Sequence, residues 1–350
     1  MKTSFSSLTD ILDHGFDAVI DVRSPAEFTE DHVPGAINLP ALSNDERARV
    51  GTIYVQEAPF KARKIGAALV ARNVAEHLDG PLKDIAGSWR PLVYCWRGGQ
   101  RSGSFASILT QIGWRAEVID GGYQSYRNLV HDVLYKDAVT HRLILLDGNT
   151  GTAKTDILHR LQGLGVQVLD LEGLANHRGS LLGSMAGGQP AQKGFETALA
   201  CALARMDPTR PIIVEAESSK VGERVVPPTL WAAMKAAARI EIDAPLDARA
   251  RYLADAYEDI SADTAGLTAK LEILRRHRGG LVDGWLALLK AGALKALARA
   301  LMDEHYDPTY RSGRTRHGAD VLQRFDVADL GIDARANLAG RIAAWIETVS

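Results

Sequence analysis

The chain has 350 residues, of which 46% are hydrophobic and 24% charged, and its formal net charge at pH 7 is −2. These values fit a globular protein of about two domains, and they exclude a disordered chain or one whose overall basic field attracts nucleic acid. The two cysteines, Cys95 and Cys201, form no disulfide framework and fit a reducing compartment. Without a membrane-length apolar run or the apolar core of a signal peptide, the sequence predicts a cytoplasmic protein with no membrane partner.

Residues 5–135 are predicted to form the first domain, an α/β unit with a doubly wound parallel sheet, because strand and helix signals alternate. A short strand over 17–23 is followed by Ser24, Pro25 and Glu27, which together indicate a helix start. An alanine-rich helix is expected over 62–78.

A glycine-rich loop connects a predicted strand at 91–94 to a helix that begins near residue 102. The catalytic candidates in this loop are Cys95, Arg97 and Arg101, and the anion-binding candidates are Gly98 and Gly99. Loop N–H groups and a helix N-terminus favour an anion at this place. The thiol is therefore expected to ionise readily and act as a nucleophile beside a bound phosphate, sulfate or selenium analogue.

The first domain resembles the rhodanese family in residues 21–28, residues 31–38, the Cys95 loop and residues 121–123. The resemblance implies that Cys95 carries a chalcogen atom as a persulfide-like adduct. Five residues separate Cys95 from Arg101, one more than in common sulfurtransferase rhodaneses. The longer loop suits a larger donor, such as one that carries selenium, and is also close to the Cys-x5-Arg loop of some phosphatases.

Residues 138–350 are predicted to form a second, P-loop NTPase-like α/β domain with a helical, partly basic C-terminal region. A strand ending at Asp147 leads into a loop with phosphate-binding spacing. The candidate ligand-binding residues are Gly148, Asn149, Thr150, Gly151, Lys154 and Thr155. Ala153 replaces the usual glycine before the lysine, at a position where the backbone conformation is demanding. Thr155 is placed to bind Mg²⁺, but the sequence leaves open whether the ion is needed, and it predicts neither a protein metal site nor a tightly bound cofactor.

More strands are predicted over 166–171, 211–217 and 239–243, followed by mostly helical structure over 248–304. The polar loop 172–180 is expected to line the phosphate site, with a purely structural loop as the alternative. Four more side chains are placed at that site by the same hypothesis: Gln192, Glu196, Glu215 and Glu217.

Two basic clusters lie late in the sequence, at 275–278 and at 311–317, and the second is close to Tyr306 and Tyr310. Basic residues among aromatic ones suit a phosphate backbone with stacked bases. A solvated charged face is the alternative interpretation.

The chain as a whole resembles the tRNA 2-selenouridine synthase family in residues 94–102, 147–151, 171–180 and 215–218. The resemblance implies a tRNA partner with a 5-substituted 2-thiouridine at the wobble position, and the co-substrates geranyl diphosphate and selenophosphate. It implies S-geranylation first, with the phosphate loop holding the diphosphate, and selenation second. In the second step Cys95 attacks selenophosphate and holds selenium, while the two arginines and the glycine amides of its loop hold the phosphate portion.

Three other functions remain open from the residues alone. The first is a rhodanese-type sulfurtransferase coupled to a nucleotide-dependent domain, and the second is a Cys-x5-Arg phosphatase. The third is a regulatory tRNA-binding or ATP-sensing module with an inert rhodanese domain, against which the presence of Cys95 and Arg101 argues.

Overall fold

The computed structural model describes residues 1–180, 183–256, 263–308 and 320–349. The chain divides into two compact units: Met1–Lys136 with Pro190–Arg205, and Asp137–Gln189 with Met206–Ser350. Each unit contains a five-stranded, wholly parallel sheet, which confirms the predicted α/β class. The segment 190–205, which the sequence pattern assigned to the second domain, belongs to the first unit.

The first sheet has the strand order β1-β5-β4-β2-β3. Its strands are β1 (Lys2–Thr3), β2 (Ala18–Asp21), β3 (Ile37–Asn38), β4 (Pro91–Tyr94) and β5 (Glu117–Ile119). Every residue of β4 is buried, because this central strand is covered on both faces. Sites of parallel sheets lie at the carboxyl ends of their strands, and the residue after β4 is Cys95.

The helices of the first unit pack around this sheet. They are α1 (Leu8–Leu12), α2 (Pro25–Glu30), α3 (Asn44–Gln56), α4 (Pro59–Asp79), α5 (Gln100–Ile112), α6 (Gly122–His131) and, from later in the chain, α9 (Gln192–Ala204). A π-helical turn, Asp132–Lys136, extends α6. The predicted helix start is confirmed, because Pro25 opens α2 and the Glu27 carboxylate accepts a hydrogen bond from the Ser24 N–H at 3.1 Å.

Polar contacts of α9 explain why it belongs to the first unit. The Thr197 hydroxyl donates to the Asp31 carboxylate at 3.0 Å, and the Tyr123 hydroxyl donates to the same oxygen at 2.7 Å. Arg127 of α6 forms an ion pair with Glu196. Such buried groups need partners, so this network fixes the position of α9 on its unit.

The second sheet has the order β12-β11-β6-β8-β7. Its strands are β6 (Leu143–Gly148), β7 (Gln167–Leu169), β8 (Ile212–Glu215), β11 (Ala238–Asp243) and β12 (Val321–Asp326), and a small hairpin adds β9 (Lys220–Val221) and β10 (Arg224–Val225). The four strands predicted for this domain are confirmed. The fifth, β12, was not predicted, because five of its six residues are exposed and it has no continuous apolar run.

The helices of the second unit include the predicted helical region. They are α7 (Lys154–Gly163), α8 (Leu171–Leu174), α10 (Pro228–Ala236), α11 (Leu246–Ala256), α12 (Thr264–Ile273), α13 (Arg275–Arg278), α14 (Leu281–Lys290), α15 (Leu294–Leu301) and α16 (Ile332–Val349), with a π-helical turn at Met302–Tyr306. The helices α12, α14 and α15 share an apolar cluster around Trp285 and Leu297. In the described ranges, no helix combines the length and apolarity that crossing a membrane requires.

Candidate functional site

Cys95 lies directly after β4 with 2% of its surface exposed. The buried Ser102 hydroxyl donates a hydrogen bond to its sulfur at 3.3 Å, a contact that the sequence pattern did not indicate. Gly98 and Gly99 both adopt the left-handed conformation, with φ of 75° and 74°, and Gly99 is the N-cap of α5. The loop thus turns from the strand into the N-terminus of α5, as predicted.

Gly122 lies against the backbone of Cys95 and Trp96. Its backbone has φ +60°, and a Cβ there would lie 2.4 Å from the carbonyl oxygen of Cys95 and 3.1 Å from that of Trp96. The next residue, Tyr123, donates its N–H to the Cys95 oxygen at 2.8 Å. The glycine is therefore needed for the close approach of two loops around the reactive residue.

Replacing Gly122 with alanine is expected to destabilise the protein by about 2 kcal/mol or more, because both the positive φ and the steric contact oppose a Cβ. Gly103→Ala is the matched control, since Gly103 lies in α5 and a Cβ added there would meet nothing within 4 Å. This control is expected to stabilise the helix by up to about 1 kcal/mol. Thermal and urea unfolding measure both effects, and an unchanged stability of the Gly122→Ala protein would contradict the proposed packing.

The two arginines of the loop have different surroundings. Arg97 is exposed. Arg101 donates from Nη1 to the Glu27 carboxylate at 3.0 Å, and its side chain is 19% exposed. Burial raises the pKa of Glu27, but the Arg101 hydrogen bond and charge, with help from Ser24 and Arg47, lower it to about 2. Arg101 therefore braces the loop against α2, and its predicted role in binding phosphate remains a prediction.

Asp21 and Arg23 support the same end of the sheet as a buried ion pair, with 2.6 Å between Arg23 Nη2 and Asp21 Oδ2. Arg23 also donates to the backbone oxygen of Asp31 at 2.6 Å. These contacts hold the strand ends together, and they agree with a bracing role for the pair.

The phosphate loop of the second unit follows β6 and leads into α7, as predicted. Lys154 donates from Nζ to the Gly148 oxygen at 2.9 Å, which places the ammonium group over the loop. Gly151 has φ 83°, and Ala153 has φ 62° and ψ 28°. The demanding conformation expected at Ala153 is thus confirmed. Its methyl group is buried beside Ala244 and Leu330.

A cavity of about 290 Å³ opens at this loop. The loop residues Thr150, Gly151, Lys154 and Thr155 line it, together with Glu172, Arg178 and Glu217 on the polar side and Tyr252, Leu253 and Ala256 on the less polar side. The predicted loop 172–180 contributes to this wall. The cavity combines cationic and backbone N–H groups with an apolar edge, which suits a phosphorylated molecule that has an apolar part.

Two carboxylates line the same cavity as Lys154. The Thr155 hydroxyl donates to Glu172 Oε2 at 2.7 Å. Burial and the neighbouring Glu172 carboxylate raise the pKa of Glu217 to about 7, against the opposing charge of Lys154. A protonated Glu217 adds no negative charge beside Lys154.

The other candidates do not line this cavity. Glu215 is buried at the end of β8, where its Oε1 accepts from the Glu172 N–H at 2.6 Å, and burial raises its pKa. Asn149 belongs to the loop itself, but its Oδ1 is buried without a hydrogen-bond partner among the described residues. Gln192 and Glu196, predicted to line this site, belong to α9 of the first unit and are not part of the cavity wall. That prediction was wrong, because helical periodicity does not tell which core a helix joins.

The basic cluster at 275–278 forms α13, where Arg275 makes ion pairs with Glu272 and Asp283. Because the charge of Arg275 is already paired, these contacts favour a solvated charged face at this residue and not an RNA-binding surface. The second cluster, 311–317, and Tyr310 lie outside the described residues. Within the described ranges, no group of three or more His, Cys, Asp or Glu side chains is arranged to hold a metal ion.

The fold and its two loops define a two-domain protein in which a rhodanese-like unit with a cysteine loop is joined to a P-loop-like unit. Residues 4–129 match the family model described as "Rhodanese-like domain", and residues 141–276 match "tRNA 2-selenouridine synthase AAA domain".

Curated relatives extend the match over most of the chain, and each is called tRNA 2-selenouridine synthase. The relative from Nitrosomonas europaea is 33% identical, with 82% of this chain and 77% of the relative covered. The relative from Shewanella loihica is 35% identical, with 84% of this chain and 86% of the relative covered. The relative from Aeromonas salmonicida is 37% identical, with 94% of this chain and 82% of the relative covered. The chain belongs to the tRNA 2-selenouridine synthase family, as the sequence resemblance predicted.

Proposed function

We propose that this chain is a tRNA-modifying transferase that replaces sulfur with selenium in a 5-substituted 2-thiouridine at the wobble position. S-geranylation from geranyl diphosphate precedes selenation from selenophosphate. The observation that carries the proposal is family membership over both units, together with a cysteine loop and a phosphate loop, each between a strand and a helix, in one chain.

In the first step, the thiocarbonyl sulfur attacks C1 of the geranyl group, the C1–O bond breaks, and diphosphate leaves. The base loses its N3 proton, so the product is a neutral thioether. The phosphate loop and Lys154 bind the diphosphate and offset the charge that develops as it leaves. Tyr252, Leu253 and Ala256 support this assignment, because they give the cavity an apolar side suited to the prenyl group.

In the second step, selenophosphate binds at the Cys95 loop, where Gly98, Gly99 and the exposed Arg97 are available to its phosphate portion. Transfer of selenium onto the Cys95 sulfur would leave phosphorus as phosphite and would need a reductant to free the selenium. Attack of the thiolate on phosphorus needs no reductant. It forms an S–P bond, breaks the P–Se bond and releases hydrogen selenide anion.

The released selenide attacks C2 of the geranylated base, geranylthiolate leaves, and the selenide proton moves to N3. Water then hydrolyses the phosphocysteine to phosphate and regenerates the Cys95 thiol. The Ser102 hydroxyl supports this cycle, because its hydrogen bond to the sulfur holds the nucleophile in place.

Incubation with one co-substrate at a time separates this function from its rivals. Geranyl diphosphate alone is expected to convert 2-thiouridine in tRNA to its S-geranyl form, while selenophosphate alone leaves the base unchanged. A plain sulfurtransferase instead turns over thiosulfate without tRNA. A phosphatase releases phosphate from phosphoproteins. Either of those activities without any change to the tRNA base would overturn the proposal.

The carboxylate pair makes the binding of diphosphate depend on pH. As pH rises through about 7, Glu217 loses its proton and adds a negative charge beside Lys154. The affinity for inorganic diphosphate is therefore expected to fall between pH 6 and pH 8.5 in the wild type. The factor by which it falls is expected to be about tenfold larger in the wild type than in Glu217→Gln. Calorimetric titration of each protein at both pH values measures the ratio of its two affinities. Glu223→Gln is the control, because Glu223 is exposed. Identical pH dependence in the wild type and Glu217→Gln would contradict this role.

A further inference from the structure

Trp96 is a large aromatic side chain at the reactive cysteine. It is the residue next to Cys95, and 39% of its surface is exposed. Consecutive Cα atoms lie about 3.8 Å apart, so the indole is anchored within one residue of the reactive sulfur. Exposing a tryptophan has a solvation cost, and burial of the ring against a ligand removes that cost.

The indole rests on a buried support. Its ring centroid lies 5.3 Å from that of Tyr123, at an interplanar angle of 31°. The Arg23 guanidinium carbon lies 3.9 Å from the Tyr123 ring centroid, and Tyr123 itself is 1% exposed. The Tyr123 hydroxyl donates to Asp31, and the Gln124 N–H donates to the Trp96 oxygen at 3.0 Å. Trp96 is thus the solvent-facing end of a stack whose inner members are fixed.

Two cations of the same unit are close to this ring, one in space and the other in sequence. Lys193 of α9 places its Nζ 5.9 Å from the Trp96 ring centroid, and an ion pair with Glu30 at 2.8 Å orients it. Arg97 is exposed and follows Trp96 directly. An aromatic face with adjacent cations is the usual arrangement for single-stranded RNA, in which a base stacks and the neighbouring phosphates are neutralised.

We infer that Trp96 is the stacking platform on which the target uridine base is held at the Cys95 loop, with Lys193 and Arg97 facing the phosphates on either side. This inference rests on the proposed function and specifies how its substrate is bound. A small inorganic anion is bound by N–H groups and cations and gains little from an indole face, whereas any nucleobase has a π face to stack. Trp96 is a binding and positioning residue, and no bond forms or breaks at its side chain.

The test uses the full-length protein and two anticodon stem-loop RNAs that differ only at the wobble position, one carrying 2-thiouridine and the other an abasic nucleotide. Loss of one stacked base is expected to weaken binding to the wild type by about 5- to 150-fold. In Trp96→Ala this difference is expected to shrink to less than about twofold, while Trp96→Phe retains most of it. Thermal unfolding of each variant shows that it is folded.

Tyr54→Ala is the matched control, because Tyr54 is also an exposed aromatic residue, lies in α3 and is 50% exposed. It is expected to keep the full difference between the two RNAs. If Trp96→Ala keeps the wild-type difference, the stacking role is wrong while the proposed function stands. If the wild type binds neither RNA, the proposed function fails and the role of Trp96 fails with it.

Discussion

Replacing Cys95 with alanine is expected to abolish selenation and to leave geranylation intact, so that tRNA accumulates the S-geranylated base. In the proposed cycle the thiolate attacks phosphorus and so breaks the P–Se bond. Removal of a nucleophile typically lowers turnover by about 10³-fold or more. The fold should survive, because the change removes one sulfur atom and leaves the hydrogen bond from the Tyr123 N–H to the backbone oxygen in place.

Cys201→Ala is the matched control for this variant. Cys201 is the other cysteine of the chain and is 9% exposed in α9, with its sulfur 4.0 Å from the Tyr126 hydroxyl. Burial raises the pKa of its thiol, which keeps it unreactive. Selenation by Cys201→Ala is expected to stay near the wild-type rate. Wild-type selenation by Cys95→Ala, measured by mass spectrometry of the nucleosides, would show that selenium does not pass through the cysteine loop.

Replacing Lys154 with alanine is expected to give the opposite pattern. Alkylation should fall by about 10²- to 10³-fold, because the departing diphosphate loses the cation that offsets its charge. Selenation of tRNA that already carries the S-geranyl group should persist, since the cysteine loop lies in the other unit of the chain. The assay therefore supplies tRNA in both forms and follows each product separately.

Lys220→Ala serves as the control, because Lys220 is an exposed lysine of the second unit in β9. It is expected to alkylate and selenate at the wild-type rates. Normal alkylation by Lys154→Ala would mean that the phosphate loop does not hold the diphosphate. Loss of both steps in a folded Lys154→Ala protein would mean that the two activities share one site.

Local sequence was enough to predict both loops. A buried apolar strand, a glycine-rich turn and a helix start are neighbours in the chain around Cys95, and the same holds around Lys154. The unusual conformation of Ala153 was also predictable, because the spacing places it where glycine normally stands.

Contacts between distant parts of the chain were not predictable in this way. Arg101 meets Glu27 across 74 positions, and Thr197 meets Asp31 across 166. The amphipathic pattern of α9 shows that it has a face to bury, but it does not tell which of two cores receives that face. For the same reason, the capping signal at Ser24 and Glu27 identified a helix start without showing that the carboxylate also holds an arginine of the cysteine loop.

The central claim is that sulfur leaves the wobble base as a geranylthio group and that this same chain then installs selenium. A time course with the purified protein, 2-thiouridine tRNA, geranyl diphosphate and selenophosphate tests it most directly, with the nucleosides followed by mass spectrometry. We expect S-geranyl-2-thiouridine to rise first and then to decay as 2-selenouridine, recognised by its isotope pattern, takes its place. Selenated base that forms without geranyl diphosphate, or a base whose mass never changes, would contradict the claim.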